Sequence, residues 1–181
     1  FIQLAVLGLH NVSNALAAVA AAHALGLPLS AIRQGLEGMK AISGRSMVYE
    51  CAGHVQIIDD SYNANPASIR AAIDVLQNMP GQRVLVLGDM GELGAWAEQE
   101  HAQIGAYANG KVDAVFATGP LMQHAVAQYS GVAGHFLEQN SLIEALLTQV
   151  SGPATFLIKG SRGAAMENVV SALRTSLGDA L

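Results

Sequence analysis

The chain has 181 residues, a formal net charge of −5 and an apolar content of 51%, which is enough for one full domain and part of a second. The small number of Lys and Arg side chains argues against non-specific nucleic-acid binding, because that binding depends on neutralising phosphates. The single cysteine excludes an intrachain disulfide and is typical of a reducing compartment. Neither a signal peptide nor a bilayer-spanning segment is predicted, so we expect a cytoplasmic protein without membrane insertion.

The first 45 residues are predicted to be mainly helical. Residues 1–6 alternate like a strand already in progress, and the absence of an initiator Met indicates a piece of a longer polypeptide. Residues 11–26 predict an Ala-rich helix that stops at its final glycine, and residues 30–38 predict a second helix capped by its first serine. We interpret residues 1–45 as the end of a preceding domain.

From residue 46 onward, strand-like and helix-like segments alternate. The predicted elements are strands at 47–51 and 54–58, a helix after Pro66, a strand at 83–87, a helix at 95–108, a strand at 114–117, helices at 120–129 and 141–150, a strand at 155–158 and a helix at 164–177. This alternation predicts an α/β domain over residues 46–181, with a Rossmann-like, doubly wound and mainly parallel sheet.

A polar motif, Asp-Asp-Ser-Tyr-Asn-Ala-Asn-Pro, follows the second predicted strand at residues 59–66. Acids and amides at the end of a strand lie where open α/β folds bind ligands. Pro66 suits a first helical turn, and Asn65 can cap the free N–H groups beside it. We therefore expect this segment to be a binding site as well as a turn.

Two amides begin the first predicted helix. Asn11 and Asn14 lie one turn apart on the same face. Because an amide carries donors and an acceptor, such a pair can bind the edge of a heterocycle such as adenine. Alternatively, Asn11 is only a helix cap and His10 an ordinary turn residue.

Residues 88–94, Gly-Asp-Met-Gly-Glu-Leu-Gly, lie between a predicted strand and a predicted helix. Their glycines do not have the dinucleotide-binding spacing, and Asp89 and Glu92 would repel a pyrophosphate. We expect the two carboxylates to meet an amine or to order a neighbouring loop. A glycine-rich turn with acids favoured by the helix dipole is an equal alternative.

Positive charge follows the last predicted strand, at Lys159 and Arg162 on either side of Gly160 and Ser161. Two cations and free main-chain donors before a helix suit a carboxylate or a phosphate, although a solvated basic turn is also possible. Arg45, at the proposed domain boundary, could bind a phosphate or form an interdomain salt bridge. No P-loop sequence is present, and the histidines are not at metal-ligand spacing.

These motifs, in this order, resemble the Mur ligase superfamily, in the branch that uses D-alanyl-D-alanine. The segments that carry the resemblance are Gly-Leu-His-Asn-Val-Ser-Asn-Ala at 8–15, Gly-Arg at 44–45, the motifs at 59–66 and 88–94, and Lys-Gly-Ser-Arg-Gly-Ala-Ala-Met-Glu at 159–167. The resemblance implies a cytoplasmic ligase of peptidoglycan synthesis. With ATP and Mg²⁺, it joins D-alanyl-D-alanine to a UDP-N-acetylmuramoyl-tripeptide through an acyl phosphate.

The resemblance also implies roles for individual residues. His10, Asn11 and Asn14 would line the adenine pocket, Arg45 would approach the nucleotide phosphates, and Asp60 would accept hydrogen bonds from the ribose hydroxyls. Lys159, Ser161 and Arg162 would hold the dipeptide through its carboxylate. The other expected substrate-binding residues are Asn63, Asn65, Asp89 and Glu92.

A complete member of the superfamily also has an N-terminal UDP-substrate domain and a central ATPase domain with the P-loop and metal ligands. We therefore expect no catalytic residue, no metal ligand and no activity in this chain alone. Another Mur-type or folylpolyglutamate-type ligase would share the fold and the Asn pair, but should lack the forms at 59–66 and 159–162. A non-enzymatic, nucleotide-sensing Rossmann-like module would account for the missing P-loop.

Overall fold

The computed structural model describes residues 1–40, 42–149 and 152–178, and of His10 only the backbone. Two helices come first, α1 (Leu9–Ala24) and α2 (Leu29–Glu37). Gly26, just past α1, has a φ of +80°, as predicted for a helix stop. The prediction of a Ser30 cap is wrong, because Pro28 occupies the cap position and Ser30 lies inside the first turn. The predicted strand at residues 1–6 is also wrong, since the segment pairs with no strand of the described sheet.

The rest of the chain forms one six-stranded sheet with helices on both faces. The strands are β1 (Met47–Cys51), β2 (Val55–Asp60), β3 (Gln82–Gly88), β4 (Ala114–Thr118), β5 (Val132–Phe136) and β6 (Ala154–Lys159). The helices are α3 (Pro66–Leu76), α4 (Ala97–Ala108), α5 (Met122–Gln128), α6 (Gln139–Gln149) and α7 (Glu167–Leu177). The strand order is β1-β2-β6-β3-β4-β5, and only β1 is antiparallel to its neighbour.

The central strands are apolar along their length because both of their faces are covered. Ile69 and Ile73 of α3 pack on one face together with apolar residues of α4 and α5. Leu142 of α6 and Leu173 of α7 pack on the other face. The predicted doubly wound, mainly parallel α/β fold is therefore confirmed.

Two details differ from the sequence prediction. Strand β5 was not predicted, since Val-Ala-Gly-His-Phe contains a glycine and lies at the partly exposed edge of the sheet. Helix α7 begins at Glu167 and not near Ala164, because residues 162–164 form a 3-10 turn and Ala165 adopts a left-handed φ of +47°. As a result, the segment after β6 is a loop and not the first turn of a long helix.

The sheet topology brings three of the motifs to one edge. Strand β6 pairs in parallel with β2 and β3, and Lys159 is level with Asp60 and Leu87. The carboxyl ends of these strands therefore lie side by side. Residues 59–66, 88–94 and 159–167 meet there, as expected for ligand-binding loops in an open α/β sheet. No described helix is long and apolar enough to cross a membrane.

Candidate functional site

A cleft of about 600 Å³ lies between the N-terminal segment and the end of β2. It is lined by both predicted amides, by the arginine at the predicted domain boundary and by several residues of the motif at 59–66. The predicted binding residues that line it are Asn11, Asn14, Arg45, Asp60, Asn63, Asn65 and Lys159. Residues separated by more than a hundred positions in the sequence therefore share one site.

Asp59 holds the segment around Gly44 against the end of β2 through hydrogen bonds. Its carboxylate is 2% exposed and accepts hydrogen bonds from the Gly44 N–H at 2.8 Å and the Ser61 hydroxyl at 2.6 Å. In the opposite direction, the Tyr62 N–H donates to the Gly44 carbonyl at 3.0 Å. Gly44 has a φ of +79°, and a Cβ there would lie 3.1 Å from Cβ of Tyr62. This crowding and the left-handed backbone explain the glycine at this position.

Asp60 lies in the wall of the cleft and has two internal partners. Its Oδ1 accepts hydrogen bonds from the N–H and the hydroxyl of Ser46 at 3.0 and 3.2 Å. Its Oδ2 accepts a 2.5 Å hydrogen bond from Nζ of Lys159, which also donates to the Asn63 carbonyl at 2.8 Å. The Lys159 side chain is only 4% exposed. Its ammonium is thus bound inside the protein and does not project into solvent.

Two other cations of the cleft remain without a carboxylate partner among the described residues. The Arg45 guanidinium lies 4.3 Å from the centre of the Tyr62 ring, in a cation–π contact. Lys40 lines the same cleft. Neither Lys40 nor Tyr62 was predicted as a site residue, because Lys40 belongs to no motif and Tyr62, although inside the motif at 59–66, is neither an acid nor an amide. Together, Lys40 and Arg45 give the cleft the charge needed to bind an anion.

The two predicted amides contact each other. Nδ2 of Asn14 donates to Oδ1 of Asn11 at 3.3 Å, and Nδ2 of Asn11 donates to the Leu7 carbonyl at 2.7 Å. The alternative that Asn11 caps the helix is wrong, since Gly8 is the cap residue. Among the described residues, none donates a hydrogen bond to the side-chain Oδ1 of Asn14, so this oxygen can accept one from a ligand. The side chain of His10 lies outside the described part of the chain.

Asn65 caps α3, as predicted. Its side chain accepts a hydrogen bond from the Ser68 N–H at 2.8 Å, and the Ser68 hydroxyl accepts one from the Asn65 N–H at 3.0 Å. This reciprocal pair is a capping box. The side-chain oxygen of Asn65 is therefore occupied by this cap, and the NH₂ group of the same side chain is the part that can reach a ligand.

Asp89 lies outside the cleft lining and orders a neighbouring helix. Its Oδ1 accepts hydrogen bonds from the Leu121 and Met122 N–H groups at 3.1 and 2.9 Å, at the start of α5. Its main-chain carbonyl accepts the Ser161 N–H at 2.9 Å, which joins the loops after β3 and β6. Of the expected roles for this carboxylate, the ordering of a neighbouring loop is the one that these contacts support.

His101 of α4 holds the loop after β3 in place through a hydrogen bond. The Met90 N–H donates to its Nε2 at 3.0 Å, and Nδ1 lies 2.6 Å from the Ala97 carbonyl. These partners require the neutral ring with the proton on Nδ1. The side chain is fully buried. His101 is thus structural, as expected for an isolated histidine on a helix.

Arg162 and Glu92 are exposed at the same sheet edge, outside the cleft lining. The Arg162 side chain is 69% exposed, forms a 2.9 Å ion pair with Glu167, and lies 6.0 Å from the centre of the Tyr62 ring. Glu92 has a left-handed φ of +61° and no ion pair with another described residue. The Arg162 guanidinium and the Glu92 carboxylate are therefore both accessible from solvent at this edge, with Ser161 beside Arg162.

No group of three or more His, Cys, Asp or Glu side chains that could hold a metal ion occurs within residues 1–40, 42–149 and 152–178. In this part of the chain, the cleft provides amides, cations and the carboxylate of Asp60.

Comparison with known proteins gives consistent results. The family model "Mur ligase, glutamate ligase domain" matches residues 44–162. UDP-N-acetylmuramoyl-tripeptide–D-alanyl-D-alanine ligase from Escherichia coli K12 is 46% identical over 170 residues, which are 92% of this chain and 37% of that protein. A crystal structure of MurF from Acinetobacter baumannii superimposes with a TM-score of 0.89 at 38% identity, over 97% of this chain and 39% of that one.

A second solved structure contains a nucleotide. MurF ligase from Thermotoga maritima in complex with ADP superimposes with a TM-score of 0.84 at 26% identity, over 95% of this chain and 39% of that one. The chain thus spans about two fifths of the length of each of these three relatives.

Proposed function

The chain belongs to the Mur ligase family, and from this premise we propose that it is the C-terminal part of a cytoplasmic, ATP-dependent ligase of peptidoglycan precursor synthesis. The complete enzyme joins D-alanyl-D-alanine to a UDP-N-acetylmuramoyl-tripeptide. The observation that carries this proposal is the cleft, in which the amide pair, two free cations and Asp60 lie together. The printed name of the E. coli relative supports the choice of substrates.

In this proposal, residues 1–45 are the end of a central ATPase domain, and residues 46–181 are the C-terminal ligase domain. Helices α1 and α2 and the turn between them expose large apolar side chains, including Leu9 at 87%, Leu25 at 83% and Leu29 at 68%. Such a surface is unusual for an element that faces only water. It suits helices that pack against the remaining part of a longer protein, consistent with the coverage of the relatives.

The nucleotide binds in the cleft. His10, Asn11 and Asn14 line the adenine pocket, with the free carbonyl of Asn14 as an acceptor for the adenine amino group. Arg45, held over Tyr62, approaches the phosphates. Asp60 accepts hydrogen bonds from the ribose hydroxyls.

The dipeptide binds at the exposed sheet edge. A dipeptide is a zwitterion, and this edge offers the Arg162 guanidinium for the carboxylate and the Glu92 carboxylate for the ammonium. Ser161 can add a hydroxyl hydrogen bond. Asn63 and the NH₂ group of Asn65 contribute from the wall of the cleft, and Asp89 keeps the loop after β3 in place through its hydrogen bonds to the start of α5.

The chemistry divides between this chain and the rest of the protein. The tripeptide carboxylate takes the γ-phosphoryl group of ATP and releases ADP; the amine of the dipeptide then attacks the acyl carbon and phosphate leaves. The described residues fit the nucleotide through amides and cations but contain no metal cluster. The proposal therefore assigns Mg²⁺ and the P-loop to the part of the protein outside this chain.

The test uses the full-length protein with ATP, D-alanyl-D-alanine and UDP-N-acetylmuramoyl-tripeptide. We expect phosphate release that depends on both peptide substrates. Arg162→Ala should raise the KM for the dipeptide by about ten- to a hundredfold, because it removes a hydrogen bond to a charged group. The KM for ATP should change little. Arg162→Lys should restore dipeptide use only in part, since an ammonium keeps the charge but lacks the planar fork.

The matched control is Arg33→Ala, because Arg33 is an exposed arginine that pairs with Glu37 on α2, away from both proposed sites. It should leave both KM values unchanged. An absence of dipeptide-dependent phosphate release would refute the proposed function. Unchanged dipeptide kinetics in both Arg162 variants would refute only the assignment of the dipeptide site.

A further inference from the structure

The sequence predicts Lys159 as a ligand of the dipeptide carboxylate, but its ammonium is already bound inside the protein. It donates to Oδ2 of Asp60 at 2.5 Å and to the Asn63 carbonyl at 2.8 Å. Its side chain is 4% exposed, compared with 69% for Arg162. A lysine in this position is poorly placed to leave its partners for a ligand at the outer sheet edge.

The same contacts fix the orientation of Asp60. Ser46 donates two hydrogen bonds to Oδ1, and Lys159 donates one to Oδ2. A carboxylate has about four acceptor positions, so three are filled from within the protein and about one remains. Asp60 lines the cleft and its side chain is 17% exposed, so this remaining position is accessible from the cleft.

Lys159 also compensates the charge of this carboxylate. A partly buried carboxylate that loses its cation is strongly disfavoured and turns towards water or other donors. Without the ammonium, Asp60 would be held by Ser46 alone. Ser46 itself has a left-handed φ of +53°, which is a strained conformation for a residue with a side chain.

We propose that Lys159 is a positioning residue for the nucleotide ribose that acts through Asp60, and not a ligand of the dipeptide. This inference rests on the proposed function, because it takes the ribose hydroxyls as the ligand of Asp60. It separates the two cations of the motif at 159–162. Lys159 serves the nucleotide and Arg162 serves the dipeptide.

The experiment compares Lys159→Met with wild type in the full-length protein, using ATP and 2′,3′-dideoxy-ATP. The dideoxy nucleotide lacks the ribose hydroxyls from which Asp60 would accept a hydrogen bond. Lys159→Met should raise the KM for ATP by about ten- to a hundredfold, the usual effect of losing a hydrogen bond to a charged group. The KM values for 2′,3′-dideoxy-ATP and for the dipeptide should stay nearly unchanged. Lys159→Arg should restore ATP use in part.

Two controls address simple misfolding. Lys111→Met removes a lysine that pairs with Asp74, at a distance from the cleft, and should alter neither nucleotide. In the Asp60→Ala background, Lys159→Met should add little further loss for ATP, because both changes remove the same contact. Calorimetric binding of the two nucleotides gives the same comparison without turnover.

The outcomes are distinct. A raised dipeptide KM with normal ATP use would overturn the proposal and return Lys159 to the dipeptide site. An equal loss for both nucleotides would show a general structural role. Absence of ligation by the wild type would refute the proposed function, and the calorimetric comparison would still decide the role of Lys159.

Discussion

The buried carboxylate of Asp59 allows a sharp test of how the boundary segment is attached to the sheet. Oδ2 accepts the Gly44 N–H at 2.8 Å, and Oδ1 accepts the Ser61 N–H at 3.2 Å and its hydroxyl at 2.6 Å. In Asp59→Asn, one of the two acceptors becomes an NH₂ donor. Whichever way the amide turns, this donor faces a main-chain N–H group, so one main-chain donor loses its partner.

The size of the effect follows from these contacts. Losing one hydrogen bond to a charged group costs about 1.5–3 kcal/mol. For a chain of this size each kcal/mol lowers the Tm by roughly 2–4 °C, so the expected decrease is roughly 3–12 °C. The site is 2% exposed, so water cannot easily replace the lost partner.

Thermal and urea unfolding of the chain, followed by circular dichroism, measure this decrease. Ser61→Ala is the matched control, because it removes the hydroxyl hydrogen bond but leaves both main-chain donors satisfied. It should cost less than Asp59→Asn, because it leaves no buried main-chain donor without a partner. A wild-type Tm for Asp59→Asn, or an equal loss for Ser61→Ala, would refute the reasoning.

Two further predictions concern stability. Gly119 has a φ of +105° and a Cβ there would lie 2.5–2.7 Å from carboxylate atoms of Asp89, so Gly119→Ala should lower the urea midpoint by more than an average substitution, which costs about 1 kcal/mol; an unchanged midpoint contradicts this. Burial raises the pKa of Asp74, but hydrogen bonds from Lys111 and Tyr107 outweigh it and leave this pKa below 3.8. The resulting stabilisation is present above pH 3.8 and is lost as the pH falls through the lowered pKa. Asp74→Asn should therefore lower the free energy of unfolding by about 0.2–1 kcal/mol at neutral pH and leave it unchanged below that pKa. Unfolding of both proteins measured across the acid range tests this, and a difference between them that does not vary with pH would contradict it.

Much of the fold was predictable because its signals are local. The continuous apolar runs of β3, β4 and β6 and the Asn-Pro start of α3 need no knowledge of the rest of the chain. Strand β5 lacks such a run, because an edge strand buries less of its surface. The start of α7 was predicted too early because nothing in the sequence marks the left-handed conformation of Ala165.

The candidate site was predictable where a strand end or a helical spacing marked its residues. Asp60 follows from its position on β2, and the amide pair follows from helical spacing. The ion pair between Asp60 and Lys159 depends on β2 lying beside β6, a pairing between residues 99 positions apart. The pattern of a single sequence does not reveal the order of the strands in the sheet. Lys159 was therefore predicted to share the dipeptide-binding role of Arg162, which is close to it in the sequence.

The packing of Met166 gives a physical reason for the small residues that precede it. Its side chain is fully buried over the ends of β3 and β6. A Cβ at Gly160 would lie 2.6 Å from Cγ of Met166, and one at Gly88 would lie 2.7 Å from its Sδ. Both glycines therefore leave room for one methionine. They allow the ends of β3 and β6 to pack closely beneath this side chain.

The two consecutive acids at the end of β2 bind neighbouring residues of the same short segment, Gly44 to Ser46. Asp59 holds Gly44 and Asp60 holds Ser46, so neighbouring carboxylates fasten two points of one short segment to the sheet. The Tyr62 N–H adds a third bond, to the Gly44 carbonyl. The segment is thus held to the end of β2 at two residues, Gly44 and Ser46. Arg45, which lies between Gly44 and Ser46, is therefore kept close to Asp60 in the wall of the cleft.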